Sequence, residues 1–231
     1  MPEERLLRIL RRLASTDPST SEPTRLCQVC AEVTGLSGAG IMLIADNLNR
    51  GSLCTTNPVS ALIEDLQYTL GEGPCVDAYR QDTVVAEPDL ADPVTRRWPV
   101  FSPAAVQAGA RAVFGFPLRV GTVRLGALNL YRDCPGPLSG DQHADALVVA
   151  DVAARWVLEA QAGAPPDMVA EELERGADFH FVVHNAAGMV SVQAGISVTE
   201  ALIRLRAFAF SHDRLLADVA GDVVARRLRL R

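Results

Sequence analysis

Lysine is missing from this 231-residue chain: all 22 basic side chains are arginine. Schiff-base and phosphate-loop lysines are therefore excluded from its chemistry, and the bias suits a GC-rich coding sequence. Long apolar runs are lacking too. The longest, such as Ile41-Met42-Leu43-Ile44-Ala45, fall far short of the roughly 18 residues a membrane helix needs. Met1-Pro2-Glu3-Glu4-Arg5 opens an arginine-rich helix without the apolar stretch of a signal peptide. A cytoplasmic protein that engages no membrane is expected. Cysteine is sparse and odd in number: Cys27, Cys30, Cys54, Cys75 and Cys134. Without an export signal that set predicts no disulfide framework. Cys27-Gln28-Val29-Cys30 lies in an amphipathic helix and has no second pair at zinc-like spacing, so both thiols are expected to pack in a core. Histidine is scarce as well. His143, His180, His184 and His212 lack the spacing and carboxylate partners of a metal site, although His180 and His184 stand i, i+4 on one helix face. No metal and no catalytic constellation are expected. A net charge of −6 argues against non-specific nucleic-acid binding by the chain as a whole, but charge has to be read domain by domain.

What is present divides into three parts. Residues 1–24 read as a helix followed by a Ser/Thr/Pro linker, and residues 25–162 alternate helical and strand-like patterns. Within that stretch strands are expected near 40–45, 52–55 and 83–86, with helices near 59–68 and 76–81 and a mostly helical segment over 93–108. The runs 112–120 and 122–131 flank Gly121 as a hairpin in the middle of a sheet. Ser139 with Gln142 makes a capping box at the start of a helix running to about 162. Gly163-Ala164-Pro165-Pro166 then breaks the pattern. From 163 to 231 strand signals vanish, and three helices fit, near 167–194, 198–211 and 215–229. Gly195 ends the first, and Ser197 with Glu200 forms a second capping box. The fold class is α+β, followed by an all-α three-helix bundle.

Val198, Ala201, Leu202, Leu205, Phe208 and Ala209 share one face of the second of these helices, and Leu216, Val219, Ala220, Val223 and Val224 one face of the third. Small residues (Ala186, Gly188, Ala201, Ala220) are placed for close helix contacts, Gly188 above all, because glycine costs about 1 kcal/mol inside a helix. Charge is segregated. Residues 167–200 hold six acids and one arginine, whereas 201–231 hold seven arginines and three acids. An excess of cations on such a tail can neutralise a phosphate backbone. Arg204, Arg206, Arg214, Arg226 and Arg227 are the candidate contacts, with Phe210 and His212 as stacking platforms for unpaired bases. Two plainer readings stay open: the last arginines complement a helix dipole, and Arg204 and Arg206 are solvated. Ile203 and Phe210 lie off the main stripe.

The motifs carry a family resemblance. Asn185-Ala186-Ala187-Gly188-Met189-Val190, Gly195-Ile196-Ser197-Val198-Thr199-Glu200-Ala201, Leu205-Arg206-Ala207-Phe208-Ala209 and Leu216-Ala217-Asp218-Val219-Ala220 follow one another in the order of the ANTAR domain, which this segment resembles. Ala187 and Ser191 stand where that family carries a basic residue and a methionine. Ala39-Gly40-Ile41-Met42, Gly71-Glu72-Gly73-Pro74-Cys75, Gly115-Phe116-Pro117-Leu118 and Gly126-Ala127-Leu128-Asn129-Leu130-Tyr131 resemble a GAF domain. The pairing, common in actinobacterial proteins, implies an antiparallel sheet flanked by helices with a small-molecule pocket, joined to an RNA-binding antitermination module that acts as a homodimer on hairpin loops. Ala186, Gly188, Ala201, Leu205, Val219 and Ala220 would be its packing positions, and Cys54, Cys75 and Tyr79 would line the sensor pocket. The sensor's ligand and any cofactor stay unassigned. Met168, Val169 and Leu173 could extend a dimer seam. Two rivals follow from the same residues. The first is an enzyme resting on Cys54 and Cys75, since some GAF proteins reduce free methionine sulfoxide with pocket cysteines and a thiol at a helix start such as Cys75 can have a lowered pKa; the second is DNA binding, since a bundle whose second and third helices are joined by a few residues resembles a helix-turn-helix.

Overall fold

Prolines open the helices of the first part, and left-handed residues close several of them. Pro23, Pro58 and Pro74 each stand at the first or second helical position, where no amide donor is needed. Gly35, Gly71 and Asp82 end those helices at φ 61°, 66° and 54°. A computed structural model describes residues 2–17, 19–45, 48–94, 97–163, 178–212, 214 and 216–230. The chain forms two compact units, Met1–Ala170 and Glu171–Arg231.

The elements of the first unit are α1 (Pro2–Ser15), α2 (Glu22–Thr34), β1 (Gly38–Ala45), β2 (Leu48–Thr55), α3 (Pro58–Leu70), α4 (Pro74–Gln81), β3 (Val85–Glu87), α5 (Phe101–Gln107), β4 (Ala112–Val120), β5 (Val123–Arg132) and α6 (Gly140–Gly163). The strands form one antiparallel sheet in the order β2-β1-β5-β4-β3. The β4–β5 hairpin lies inside it, as the apolar, β-branched pattern predicts. Among the described residues of 93–108 the α-helix is confined to α5, because Pro93 and Pro99 each disfavour helix in the residue before them.

Strand register sorts the side chains onto two faces, since directly paired residues point the same way. Cys54, Ile41, Leu128 and Phe116 form one cross-strand row, which faces α2 and α6, with the Phe116 ring 5.4 Å from that of His143 on α6. Thr55, Gly40, Asn129, Gly115 and Val85 form a row on the opposite face, under α3 and α4, with α5 packed against α3. Arg5 of α1 bonds Asp141 and Asp145 of α6, both at 2.6 Å. The α6 cap forms in full: Gln142 N donates to Ser139 Oγ at 3.2 Å, and Ser139 N donates to Gln142 Oε1 at 3.0 Å.

The expectation of five unlinked thiols is overturned at one pair. α2 lies along the sheet close to edge strand β2, which brings Cys27 and Cys54 to a Cα separation of 6.5 Å, and they form a disulfide. Sequence spacing carries no trace of this, because 27 residues separate the partners. Cys30 is a buried free thiol, as expected of a small hydrophobe.

In the second unit α7 (Asp178–Ala194), α8 (Val198–Ser211) and α9 (Leu216–Val224) pack on one another. Val183, Ala186, Ala187 and Val190 of α7 meet Ala201, Leu202, Leu205 and Ala209 of α8 and Leu216, Val219, Ala220 and Val223 of α9 in a core where each is at most 2 % exposed. Burying such side chains is worth roughly 1.5–3 kcal/mol for each of the larger ones. The buried stripes are narrower than the periodicity suggests: Val198 and Val224 are exposed, and Phe208 is half-buried. Residues 164–177, including Met168, Val169 and Leu173 of the expected seam, lie outside the described residues. The last helix stops at Val224, not near 229. Arg226 takes φ 60°, Arg227 N and Leu228 N both donate to Asp222 O, and the chain turns back to bury Leu230.

Candidate functional site

Gly40 and Gly115 flank Asn129 across the sheet, so the centre of the row under α3 and α4 has no Cβ on either side. Two elements use the room. The Glu64 carboxyl of α3 rests on Gly40, where an added Cβ would come within 2.8 Å of Oε1. The start of α4 rests on Gly115, where an added Cβ would collide with the Pro74 carbonyl. Gln67, one turn beyond Glu64, accepts a 2.7 Å hydrogen bond from the Cys75 amide and so caps the α4 N-terminus. Glu72 caps α5 likewise, taking bonds from the Val100 and Phe101 amides at 2.9 and 2.7 Å.

The result is a buried polar cluster. Glu64, Gln67, Cys75 and Asn129 are all 0 % exposed. Burial pushes the Glu64 carboxyl up to about 8; Asn129 lies near enough to oppose that, and Asp65, itself raised to about 6 by burial, adds to it. Even so, both Glu64 oxygens and both polar atoms of the Asn129 side chain lack a hydrogen bond of ordinary geometry among the described residues. Such groups cost about 1–3 kcal/mol each when unsatisfied, so this spot is kept polar at the expense of stability. At neutral pH Glu64 is a neutral acid, able to donate one hydrogen bond and accept others.

Of the three residues expected to line a sensor pocket, two are on this side. Cys75 belongs to the polar cluster, and Tyr79 is buried in the apolar cluster beside it with Met42, Ile44, Ile63 and Trp98. Cys54 is not: it points to the other face and is bonded to Cys27. The lowered pKa that the enzyme alternative would need at Cys75 is not what its surroundings give. Burial raises it well above its usual value, and the nearby Glu64 adds to the rise, outweighing the Gln67 hydrogen bond. Glu64 and Asn129 escaped the sequence reading, yet each left a signal. Glu64 falls on the buried stripe Ser60, Ile63, Gln67, Tyr68 of α3, and Asn129 on the inward alternation Ala127, Tyr131 of β5.

In the second unit the expected cations divide. Arg204 pairs with Glu200 at 3.3 Å, while Arg214 and Arg227 both bond Asp222, at 2.6 and 2.8 Å. Arg206 is half-buried. His212 stacks on Phe208 with ring centroids 3.9 Å apart, so its imidazole already has a partner, whereas Phe210 is 68 % exposed. Ser197 caps α8 by accepting from Glu200 N at 3.2 Å; the Glu200 carboxylate is drawn to Arg204. Of the packing positions, Ala186, Ala201, Leu205, Val219 and Ala220 are buried as expected. Gly188 is not a close-contact glycine: a Cβ there would meet nothing within 4 Å. It lines an open groove of about 550 Å³ between α7 and the turn after α9, with Arg226 and Arg229 also on its walls. Neither arginine has an ion pair among the described residues. His180 lies outside the described side chains, and no group of three metal-ligating side chains occurs among the described residues. No single helix among them is long and apolar enough to cross a membrane.

Solved structures share the fold of the first unit. The GAF domain of an Acinetobacter phosphoenolpyruvate-protein phosphotransferase aligns with a TM-score of 0.53 at 15 % identity, covering 71 % of this chain and 97 % of that one. The corresponding domain from Coxiella burnetii gives 0.51 at 13 %, over 70 % and 95 %. A domain of a putative two-component sensor histidine kinase from Sinorhizobium meliloti gives 0.50 at 15 %, over 59 % and 89 %. At these identities the likeness concerns the fold alone. No match was found among curated proteins. Residues 24–154, more than half of the chain, match the GAF domain family, and these residues carry the two-faced sheet and the buried polar cluster, so the chain belongs to that family of signal-sensing domains.

Proposed function

We propose that this protein is a signal-responsive, RNA-binding regulator of transcription antitermination, in which the GAF domain takes a small molecule and the three-helix unit engages hairpin loops. The observation that carries the output half is the helical core itself. Ala186, Ala201, Leu205, Val219 and Ala220, five of the positions of the ANTAR-like pattern, are among the residues through which its three helices meet. The surface supports the same reading, with Arg204, Arg206 and exposed Phe210 on α8 and, beyond α9, Arg226 and Arg229, which have no ion pair among the described residues. Arginine beside an exposed ring suits unpaired nucleotides. On the sensor side, the support is a buried acid and amide that lack hydrogen bonds of ordinary geometry among the described residues.

Regulation is favoured over catalysis by the fate of the thiols, one locked in a disulfide and the other sealed with its pKa raised. Self-association fits the half-exposed leucines Leu7 and Leu10 on α1 and Leu147 on α6, and two copies would add avidity on paired hairpins. The test is selection from a random-loop hairpin pool by the full-length protein, followed by competition at fixed salt. Selected hairpins are expected to compete far better than duplex DNA of equal length, and Phe210→Ala to weaken capture. Folded protein that retains no hairpin, or that prefers the duplex, overturns the reading.

A further inference from the structure

The groove on the second unit differs from the rest of its arginine-bearing surface. Arg204, Arg214 and Arg227 are each committed to a carboxylate of the same unit. Arg226 and Arg229 have no ion pair among the described residues, and both border the groove. Their placement is braced. Asp222 accepts the backbone amides of Arg227 and Leu228 at 2.7 and 3.0 Å and also holds the Arg214 and Arg227 side chains. That turn holds Arg226 at φ 60°, a left-handed conformation usually left to glycine or asparagine. The opposite wall is a face of α7. There Gly188 leaves the helix bare, Met189 and the 85 % exposed Val192 offer apolar surface, and Asn185 and Gln193 supply exposed amides.

We infer that this groove is a nucleotide subsite, in which Arg226 and Arg229 hold phosphate oxygens while an unpaired base lies over Gly188 against Met189 and Val192. Asn185 and Gln193 read the edge of the base, since a side-chain amide offers a donor and an acceptor side by side. A carboxylate ligand would use the two guanidiniums but not the bare apolar floor and its flanking amides; a nucleotide uses all three. The inference rests on the RNA-binding reading and adds to it that base recognition is centred on α7 and the α9 turn, not on α8 alone.

Gly188→Leu gives the sharpest test, because leucine favours a helix over glycine and meets open space at that position. In the full-length protein, this variant is expected to keep or raise the melting temperature and to weaken a selected hairpin at least tenfold. Arg226→Ala/Arg229→Ala is expected to weaken it similarly and to flatten the salt dependence by about 1.4 in log–log slope, two single-strand contacts at roughly 0.7 each. Asn185→Ala should relax loop-sequence preference while leaving duplex binding unchanged. Adenosine and guanosine monophosphates serve as a separate arm: competition by either at millimolar concentration supports the subsite. Hairpin binding unchanged in Gly188→Leu and in the double arginine variant overturns the inference and leaves the RNA reading standing. Failure of the unaltered protein to bind any hairpin overturns both.

Discussion

Glu64 shows how one side chain can tie stability to pH. In the folded chain it holds its proton up to about pH 8, whereas an unfolded glutamate releases it near 4.5. Between those values the native state binds more protons than the unfolded one, so the free energy of unfolding falls as pH rises, by at most about 1.4 kcal/mol per unit. Asp65, raised to about 6 from an ordinary 3.8, adds the same sign over its lower window. Urea titrations at pH 5, 6.5 and 8 are expected to show decreasing stability. Glu64→Gln is expected to abolish the fall above pH 6 and to leave the smaller Asp65 part below it. Gly115→Ala tests the neighbouring contact. Its new methyl would strike the Pro74 carbonyl, which is backbone and cannot swing aside, so a loss of about 1–3 kcal/mol is expected in the same titration. Neither residue's role is visible from its own neighbours in sequence. The alternation around Asn129 and the stripe through Glu64 place both on inward faces, but that they meet over Gly40 follows only from the strand register.

At the level of elements, most of what is local in origin was legible in the chain. The β4–β5 hairpin, the Ser139–Gln142 box and the Gly195 stop are each set by residues within a few positions of one another. Elements set by distant partners were not. The Cys27–Cys54 bond depends on the placement of α2 beside an edge strand, and the early end of α9 depends on Asp222 drawing the following amides and guanidiniums back onto itself. The bond closes a loop of 27 residues, for which chain entropy gives about 3.5 kcal/mol. Dithiothreitol should therefore lower the urea midpoint of the wild type and leave a Cys27→Ala/Cys54→Ala variant unaffected. Equal midpoints with and without reductant would count against the bond. Ser197→Ala removes the acceptor for Glu200 N and is expected to cost about 1 kcal/mol of helical stability, read by circular dichroism.

The whole molecule combines two units with separate cores, and its chromophores report on them unequally. Both tryptophans, Trp98 and Trp156, belong to the first unit. Leu205→Ala empties part of the second core, a change typically worth about 2–5 kcal/mol. It is expected to shift the helical circular-dichroism transition while leaving the tryptophan fluorescence midpoint in place; a fluorescence shift of equal size would mean that the units melt as one.

The five-stranded sheet also acts as a partition. Its disulfide lies on one side and its proton-holding acid on the other, with Ile41 and Gly40, adjacent in β1, facing opposite ways between them. The redox-active bond and the titrating acid therefore sit in different layers of the domain, so either can be removed by substitution without touching the side chains packed on the other.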